Sequence, residues 1–433
     1  MLESLHSLND SLGGTLQYFE ANTTEDVLEN ININKNNNNN NIKSIWFNRD
    51  VTPFAITRDK AIEVWCKNKG ILYETREDYT LHSVNNIRTK TGNIYKVFTP
   101  FYNNAVTLPV ANPQIITTDI KISLSLSLSL SLSKTKEVNS KTKKFIEKYA
   151  PPHDSHVDIY GGRSHGLDIL HRIKTGEFKT YSSERNNPSS PEGATRLAAY
   201  LKFGCISIRE AFYAVEKAKE KGSVLLSQLF WREFYFHLTF HMPQLLSAQI
   251  GSKNETMKER MANIKWKSLT NPEVNAHWND WCNGTTGYPI VDAGMRQLNE
   301  TGYMHNRTRM IVAMFLTKHL HIDWRQGERY FAKMLIDYDP CQNNGGWQWS
   351  ASTGVDTQPY RIFNPWLQTE RYDPNCTYIK KWIPELANLP IKTILKWNNE
   401  AIRTNTQVNT IYNKPIVDHA EAVKEGKKLL KGL

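Results

Sequence analysis

From about Lys144 to the C-terminus, apolar residues recur with the period of an α-helix, interrupted by Gly/Pro turns such as Pro188–Gly193 and Gly284–Pro289. LLSQLFWREFYFHLTFH and MRQLNETGYMHNRTRMIVAMFLTKHL are apolar enough to be buried or half-buried helices. This pattern predicts an all-helical domain over residues 146–433. Ahead of it the chain reads differently. Residues 1–110 mix β-rich runs (Gly70–Tyr73, Ile94–Phe98) with a helical stretch at Asp59–Asn68. The Asn36–Asn41 tract inside it reads as an exposed low-complexity insertion. Between the two parts, residues 111–145 carry the Ser/Leu repeat Ser123–Ser133, which marks a flexible linker more readily than a strand.

A length of 433 residues suits two or three domains. The net charge of +11 points to a polyanionic partner, nucleic acid before membrane, although a basic surface alone also satisfies it. Twelve Trp exceed what packing usually needs and raise the prospect of aromatic or flavin stacking. The five cysteines are odd in number, scattered and without a C-x-x-C pair. That pattern excludes a disulfide framework and a zinc site and favours a reducing compartment. No apolar run reaches the roughly 18 residues of a membrane span, and MLESLHSLNDSL lacks a signal-peptide pattern, so a soluble intracellular protein is expected. His237 and His241 have the i,i+4 spacing of a zinc pair, but no Glu follows the first and no third ligand is in view. They read as structural or surface histidines.

Four stretches carry chemistry. EGATRLAAYLKFG (Glu192–Gly204) follows a Pro/Ser turn and opens a helix, where free N–H groups and the Thr195 hydroxyl make either a phosphate cradle or a plain cap. Gln228, Trp231 and Arg232 lie three and four residues apart on one helix face. Asn306, Arg307 and Met310 do the same on a later helix, with Arg309 one step round. The fourth, DYDPCQNNGGWQWSASTGVDTQPYRIFNPWLQ (Asp337–Gln368), packs acids, paired Asn and Gly, two Trp, an Arg and a Gln into one run.

Together with TGYPIVDAGMRQLNETGYMHNRTRM and LFWREFY, these residues resemble the DNA photolyase/cryptochrome family over roughly 145–433, and within it the class I cyclobutane pyrimidine dimer photolyases. The resemblance implies an α/β domain followed by a helical domain that binds FAD and DNA. It places Tyr181 and the segment Ala194, Thr195, Arg196, Leu197 and Ala198 on the FAD diphosphate, with Ala194 and Ala198 standing where relatives carry hydroxyls. Each lost neutral hydrogen bond is worth about 0.5–1.5 kcal/mol. It also places Arg232, Asn306, Arg309, Asp337, Tyr338 and Asp339 at the flavin, with Arg309 paired to Asp337 beneath it. Asn343 matches the residue beside flavin N5, where an amide suits a photolyase. Arg185, Gln228, Trp231, Asn306, Arg307, Met310, Trp349, Arg361 and Gln368 fall at DNA- or lesion-facing positions; cyclobutane-dimer enzymes usually carry Glu where Gln228 stands. Trp347, Trp324 and Trp266 match the tryptophan relay that feeds electrons to the flavin. A lone His305, in place of the histidine pair of enzymes specific for the (6-4) lesion, favours the cyclobutane dimer.

The amino-terminal third resembles only the later part of the family's α/β domain. IWFNRD (Ile45–Asp50) imitates the family's opening motif, yet VTPFAITRDKAI, GILYE and YKVFTPFYNNA match the domain's end. The first strand–helix–strand portion is expected to be missing, whether supplied by a separate polypeptide, tolerated in a monomer, or lost in a decaying copy. Phe54 and Ala55 replace the polar pair that contacts folate, so no folate antenna is expected, while a deazaflavin stays open. The resulting expectation is a photolyase that binds UV-damaged DNA and repairs it with light and reduced, anionic FAD. A cryptochrome-like photoreceptor and an inactive remnant are the rivals.

Overall fold

The computed structural model describes residues 1–14, 16, 19, 21–35, 42–113, 159–218, 223–246, 264–355, 361–404 and 412–430. The Asn36–Asn41 tract and the Ser/Leu repeat lie outside them. Helix α1 (Leu2–Ser11) and helix α2 (Thr24–Lys35) precede strand β1 (Ser44–Asn48), helix α3 (Pro53–Lys69) and strand β2 (Leu72–Arg76). β1 and β2 pair in parallel, Ser44 opposite Leu72 through Asn48 opposite Arg76. A parallel pair needs a crossover, and α3 supplies it. The Thr52 side chain accepts from the Ala55 N–H at its start, Pro53 fits its first turn, and Gly70 at φ 65° ends it. Ile62, Trp65 and Cys66 bury its inner face against Leu28 and the strand residues Ile45, Phe47 and Tyr73.

Two sequence expectations shift here. Gly70 terminates α3 rather than opening a strand, and β2 begins at Leu72. The Ile94–Phe98 run makes no strand; Phe98 instead begins helix α4 (Phe98–Ala105). Phe98, Phe101 and Ala105 all turn inward at helical spacing, and this shared buried face outweighs the β-branched lead-in.

Residues 79–105 leave the sheet and pack into the helical part. Leu81, Ile87, Phe98, Phe101 and Ala105 share one core with helix α5 (Arg163–Lys174), Phe178 and helix α6 (Val224–His241). The buried Glu233 carboxylate on α6 accepts the His82 N–H at 2.7 Å and faces the His82 ring at 3.2 Å. His237 and His241 both direct ring nitrogens at the Val84 carbonyl, 3.3 and 3.1 Å away, so this pair anchors the 79–105 segment.

The second core is built by helices α7 (Pro272–Asn283), α8 (Pro289–Thr301), α9 (Asn306–Lys318), α10 (Trp324–Met334), α11 (Pro340–Ala351) and α12 (Pro365–Tyr372) around Trp281, Tyr288, Phe315, Phe331 and Trp347. Helix α13 (His419–Leu429) closes over α9 through a His319–His419 contact of 2.9 Å. Asp339 caps α11 by accepting from the N–H groups of Cys341 and Gln342. At its other end Lys318 donates to the Ala351 carbonyl and the Ser352 hydroxyl.

Two glycines let α11 sit this close. A Cβ on Gly345 would lie 2.3 Å from the Tyr235 ring of α6, and one on Gly327 of α10 would lie 2.1 Å from the Trp347 ring. Gly327→Ala is therefore expected to cost about 1–3 kcal/mol by overpacking and to turn Trp347 out of place. A lowered urea midpoint with altered tryptophan fluorescence would show it; an unchanged midpoint would mean the contact relaxes freely.

Candidate functional site

A cavity of about 730 Å³ lies where the two cores meet, walled by α6, α9 and α11 and by the 181–198 segment. Tyr181, Arg185, Ala194, Thr195, Arg196, Leu197 and Ala198 line one end of it. The local geometry differs from the sequence reading: Pro191–Gly193 forms a single 3-10 turn, and the helix begins only at Ala198. The cavity therefore meets an open loop, in which Arg196 holds φ 58°. Thr195 keeps its hydroxyl in the loop, accepting from the Leu197 N–H at 3.5 Å. Burial pushes the Tyr181 phenol up to about 12, so it stays a neutral hydrogen-bond partner at physiological pH.

On the floor, Arg309 donates to both Asp337 oxygens at 3.1 and 2.9 Å and to the Met304 carbonyl at 2.7 Å. The Asp337 side chain is only 7% exposed. Tyr303, whose role the sequence did not reveal, meets two guanidinium groups, 5.1 Å from Arg196 and 5.6 Å from Arg309. Lys202 meets Asp339 at 3.3 Å. Arg232 lines the cavity, and its guanidinium donates to the Tyr79 carbonyl and lies 4.7 Å over the Phe236 ring. Arg232 thus joins the α/β segment to the cavity wall, a tie between distant parts of the chain that helix periodicity alone could not reveal.

Asn343 is fixed by a residue the sequence reading missed. Its amide nitrogen donates to Glu328 Oε1 at 3.0 Å and to the Glu328 carbonyl at 3.2 Å. Both partners are acceptors, which sets the amide orientation and leaves Asn343 Oδ1 as the atom offered to the cavity. Tyr338 reaches the same carboxylate, and burial raises the Glu328 pKa above the usual carboxylate range. Glu328 stands in the run WRQGERYF on α10, where nothing local marks it.

The opposite wall is aromatic. Phe98 stacks flat on Trp231 at 3.7 Å and 9°, covering one face of the indole. Arg361 sits 5.3 Å over the Trp349 ring. Gln228 spends its amide nitrogen on the Val224 carbonyl and the Ser227 hydroxyl, both at 3.2 Å, so its carbonyl oxygen is left for the cavity. Asn306 and Met310 lie together, amide to sulfur 3.9 Å, and Arg307 donates to Asn186 while stacking 4.3 Å over Tyr372. Arg307 Nε is buried and has no hydrogen-bond partner among the described residues. Burial pushes the His305 imidazole down to about 4, and its Nδ1 accepts the Arg307 N–H at 3.1 Å.

Three expected residues lie outside the cavity. Trp324 and Trp266 belong to the packing around Trp347, with Lys267, next to Trp266, bridging to Ile322, near Trp324. Gln368, on α12, does not line the cavity. All the other expected site residues do: Tyr181, Arg185, residues 194–198, Gln228, Trp231, Arg232, Asn306, Arg307, Arg309, Met310, Asp337, Tyr338, Asp339, Asn343, Trp347, Trp349 and Arg361.

The donor set suits FAD. Acids and a paired Arg line the floor, an amide oxygen is presented from α11, and the open 194–198 loop with the Thr195 hydroxyl lies at one end. Gly346 of α11 lines the cavity, and a Cβ there would meet nothing within 4 Å, which leaves room for a flat ring system.

Residues 225–432 match the family model described as the FAD binding domain of DNA photolyase, and residues 1–114 match that of DNA photolyase. A deoxyribodipyrimidine photo-lyase of Alkalihalophilus pseudofirmus is 36% identical over 399 residues, covering 90% of this chain and 79% of that protein. The structure resembles an archaeal photolyase from Sulfolobus tokodaii, crystallised with two FAD molecules, at TM-score 0.78 and 34% identity, over 100% of this chain and 87% of the other. A Synechocystis cryptochrome follows at TM-score 0.75 and 25% identity, over 99% and 86%.

Proposed function

The chain belongs to the DNA photolyase family, and from that premise we propose that it splits cyclobutane pyrimidine dimers in UV-damaged DNA inside the cavity between α6 and α11. It is a deoxyribodipyrimidine photolyase, an FAD-dependent lyase of DNA repair. One observation carries the assignment of residues: a single cavity gathers groups suited to hold a flavin and groups suited to hold a flipped base pair. Bound reduced FAD, once photoexcited, supplies the electron that opens the dimer.

The chain's own groups bind, orient and exclude water. Residues 194–198 and Tyr181 take the diphosphate end. Arg309, held by Asp337, and Asp339, held by Lys202, form the polar floor. Asn343 Oδ1, with the amide fixed by Glu328, would accept a hydrogen bond from a flavin N–H and so favour the reduced cofactor. Trp231, backed by Phe98, and Trp349, backed by Arg361, present π-faces to the extruded pyrimidines. Arg185, Arg307, Arg361 and Gln368 take DNA contacts, which makes binding salt-dependent. The neutral His305 serves as a helix cap and not as an acid, in keeping with a substrate that needs no protonation.

We read residues 1–110 as the α/β portion, with 79–105 as its join to the helical domain of 146–433, and 111–145 as linker. No folate antenna is expected, since Ala55 is buried and Phe54 is 79% exposed. A second polypeptide completing the sheet finds no support, because relatives match along most of this single chain, and we read it as a monomer. Among the described residues no helix is long and apolar enough to cross a membrane, and the five cysteines are free and buried, which suits a reducing compartment where DNA is accessible.

The test is light-dependent repair of an oligonucleotide carrying one thymine dimer by photoreduced, FAD-loaded protein. Dimer loss in light and not in darkness is expected. Bound flavin without dimer loss would overturn the assignment and turn attention to the (6-4) lesion or to signalling. In the same assay, Gln228→Glu adds charge to the acceptor already facing the cavity. Charge-assisted bonds exceed neutral ones by about 1–2 kcal/mol, so lesion affinity or yield is expected to rise about tenfold. No change would place residue 228 off the lesion.

A further inference from the structure

We propose that this chain carries a second electron branch, from Trp347 through Trp281 to Trp278, alongside the relay through Trp324 and Trp266. The Trp347 ring lies 6.1 Å from Trp281, centroid to centroid, and Trp281 stacks on Trp278 at 5.4 Å and 23°. Tyr330 braces both indoles edge-on, 5.7 Å from Trp281 and 6.1 Å from Trp278. Three indoles in successive contact therefore run from the cavity wall to α7, where Trp278 is half-buried and its neighbours Asn275 and Asn279 are exposed.

The middle position has the chemistry of a relay and not of a trap. Trp281 is 0% exposed, and its indole N–H donates to the Val312 carbonyl at 3.1 Å. A carbonyl is no base, so an oxidised Trp281 keeps its proton and its high potential and is refilled by the next ring. Tyr330 is a poor terminus, because its hydroxyl donates to the Asn299 amide oxygen at 2.7 Å and the Cys282 carbonyl at 3.2 Å, neither of which takes a proton. Trp278, at the solvent edge, can lose its proton to water.

The branch rests on the reading that Trp347 meets the flavin. Trp347 gives one electron to oxidised, photoexcited flavin and becomes an indole radical cation. Trp281 returns one electron to Trp347, and Trp278 returns one to Trp281. The Trp278 radical cation releases its N–H proton to water, and the neutral radical left behind takes a hydrogen atom from an external thiol, which becomes a thiyl radical. One electron enters the flavin for each thiol oxidised, and the three indoles end as they began.

Transient absorption of the FAD-loaded full chain tests this through the tryptophan radical signal, independently of repair. Trp324→Phe blocks the expected relay, and a tryptophan radical signal is expected to persist in it. Adding Trp278→Phe, a half-buried and conservative change, is expected to abolish that signal. The flavin-free variants provide a second readout: the stacked Trp278–Trp281 pair gives an exciton couplet in circular dichroism that Trp278→Phe removes while the helical signal stays. The branch is overturned if Trp324→Phe alone abolishes the radical, or if Trp278→Phe changes nothing in that background. Trp347→Phe separates the premise from the branch. A full radical signal in that variant would mean that Trp347 is not the flavin's partner, whereas its loss leaves the double variant to decide on the branch alone.

Discussion

Asp337→Ala is expected to lower stability by about 3 kcal/mol and to yield protein with little bound flavin. The Arg309 guanidinium would keep its Met304 contact but lose both carboxylate oxygens, and removing one partner of a buried pair costs about 3–5 kcal/mol. The lower end applies because the Arg309 side chain is 26% exposed and water can reach it. The loss propagates, since Arg309 also faces Tyr303, which in turn meets Arg196 on the loop assigned to the diphosphate. Asp337→Asn keeps one acceptor and should fall between the two. Urea midpoints and the flavin-to-protein absorbance ratio after purification measure both effects. Normal flavin content in Asp337→Ala would remove this pair from the cofactor floor.

Acidification below about pH 6.5 is expected to destabilise the protein through its buried histidines. His237, His305 and His319 are buried, and burial pushes them down to about 4, about 4 and about 3. An unfolded histidine binds its proton near pH 6.5, so between there and about 4 the unfolded chain holds more protons than the folded one. Stability is therefore full above about pH 6.5 and falls as pH drops through that window, by about 1.4 kcal/mol per unit for each group. Asp292 works in the opposite sense. Burial raises it to about 6 despite hydrogen bonds from Thr286, Gly287 and Tyr412, so the folded state gains at the same slope per group as pH falls from about 6 toward 4. Glu328 and Asp373, also raised by burial, act with Asp292, while His241, His321 and His419, also lowered by burial, act with the three histidines, and the net is a loss on the order of several kcal/mol as pH falls. Urea midpoints at about pH 7.5 and about pH 5 check it, and His305→Gln should flatten the slope. Equal midpoints would mean that these histidines already carry protons in the fold.

Much of the site was legible because it is written in helix periodicity. Gln228 and Trp231, or Asn306 and Met310, share a face by spacing alone, and caps such as Asp339 before Pro340 announce where α11 begins. The chemistry of the Asp337–Gln368 run was legible through its resemblance to the photolyase/cryptochrome family, and its members Asp337, Asp339, Asn343, Trp347, Trp349 and Arg361 do line one cavity. Local pattern misled where a longer-range partner decided: Ile94–Phe98 looked like a strand, yet Phe98 found Trp231 across more than a hundred residues and went helical to reach it.

The sequence by itself determined that most of the chain is helical, which faces those helices bury, and which residue types could hold a flavin and a lesion. Only the tertiary structure decided that Glu328 orients Asn343, that Phe98 backs Trp231, that Tyr303 meets two arginines, and that Arg232 reaches the Tyr79 carbonyl. The physical reason is range. Propensity, capping and amphipathic spacing act within a few turns of chain and can be read there. A side chain's orientation is set by whichever partner satisfies it once remote segments close-pack, and that partner leaves no mark on the residue's own neighbourhood in the sequence.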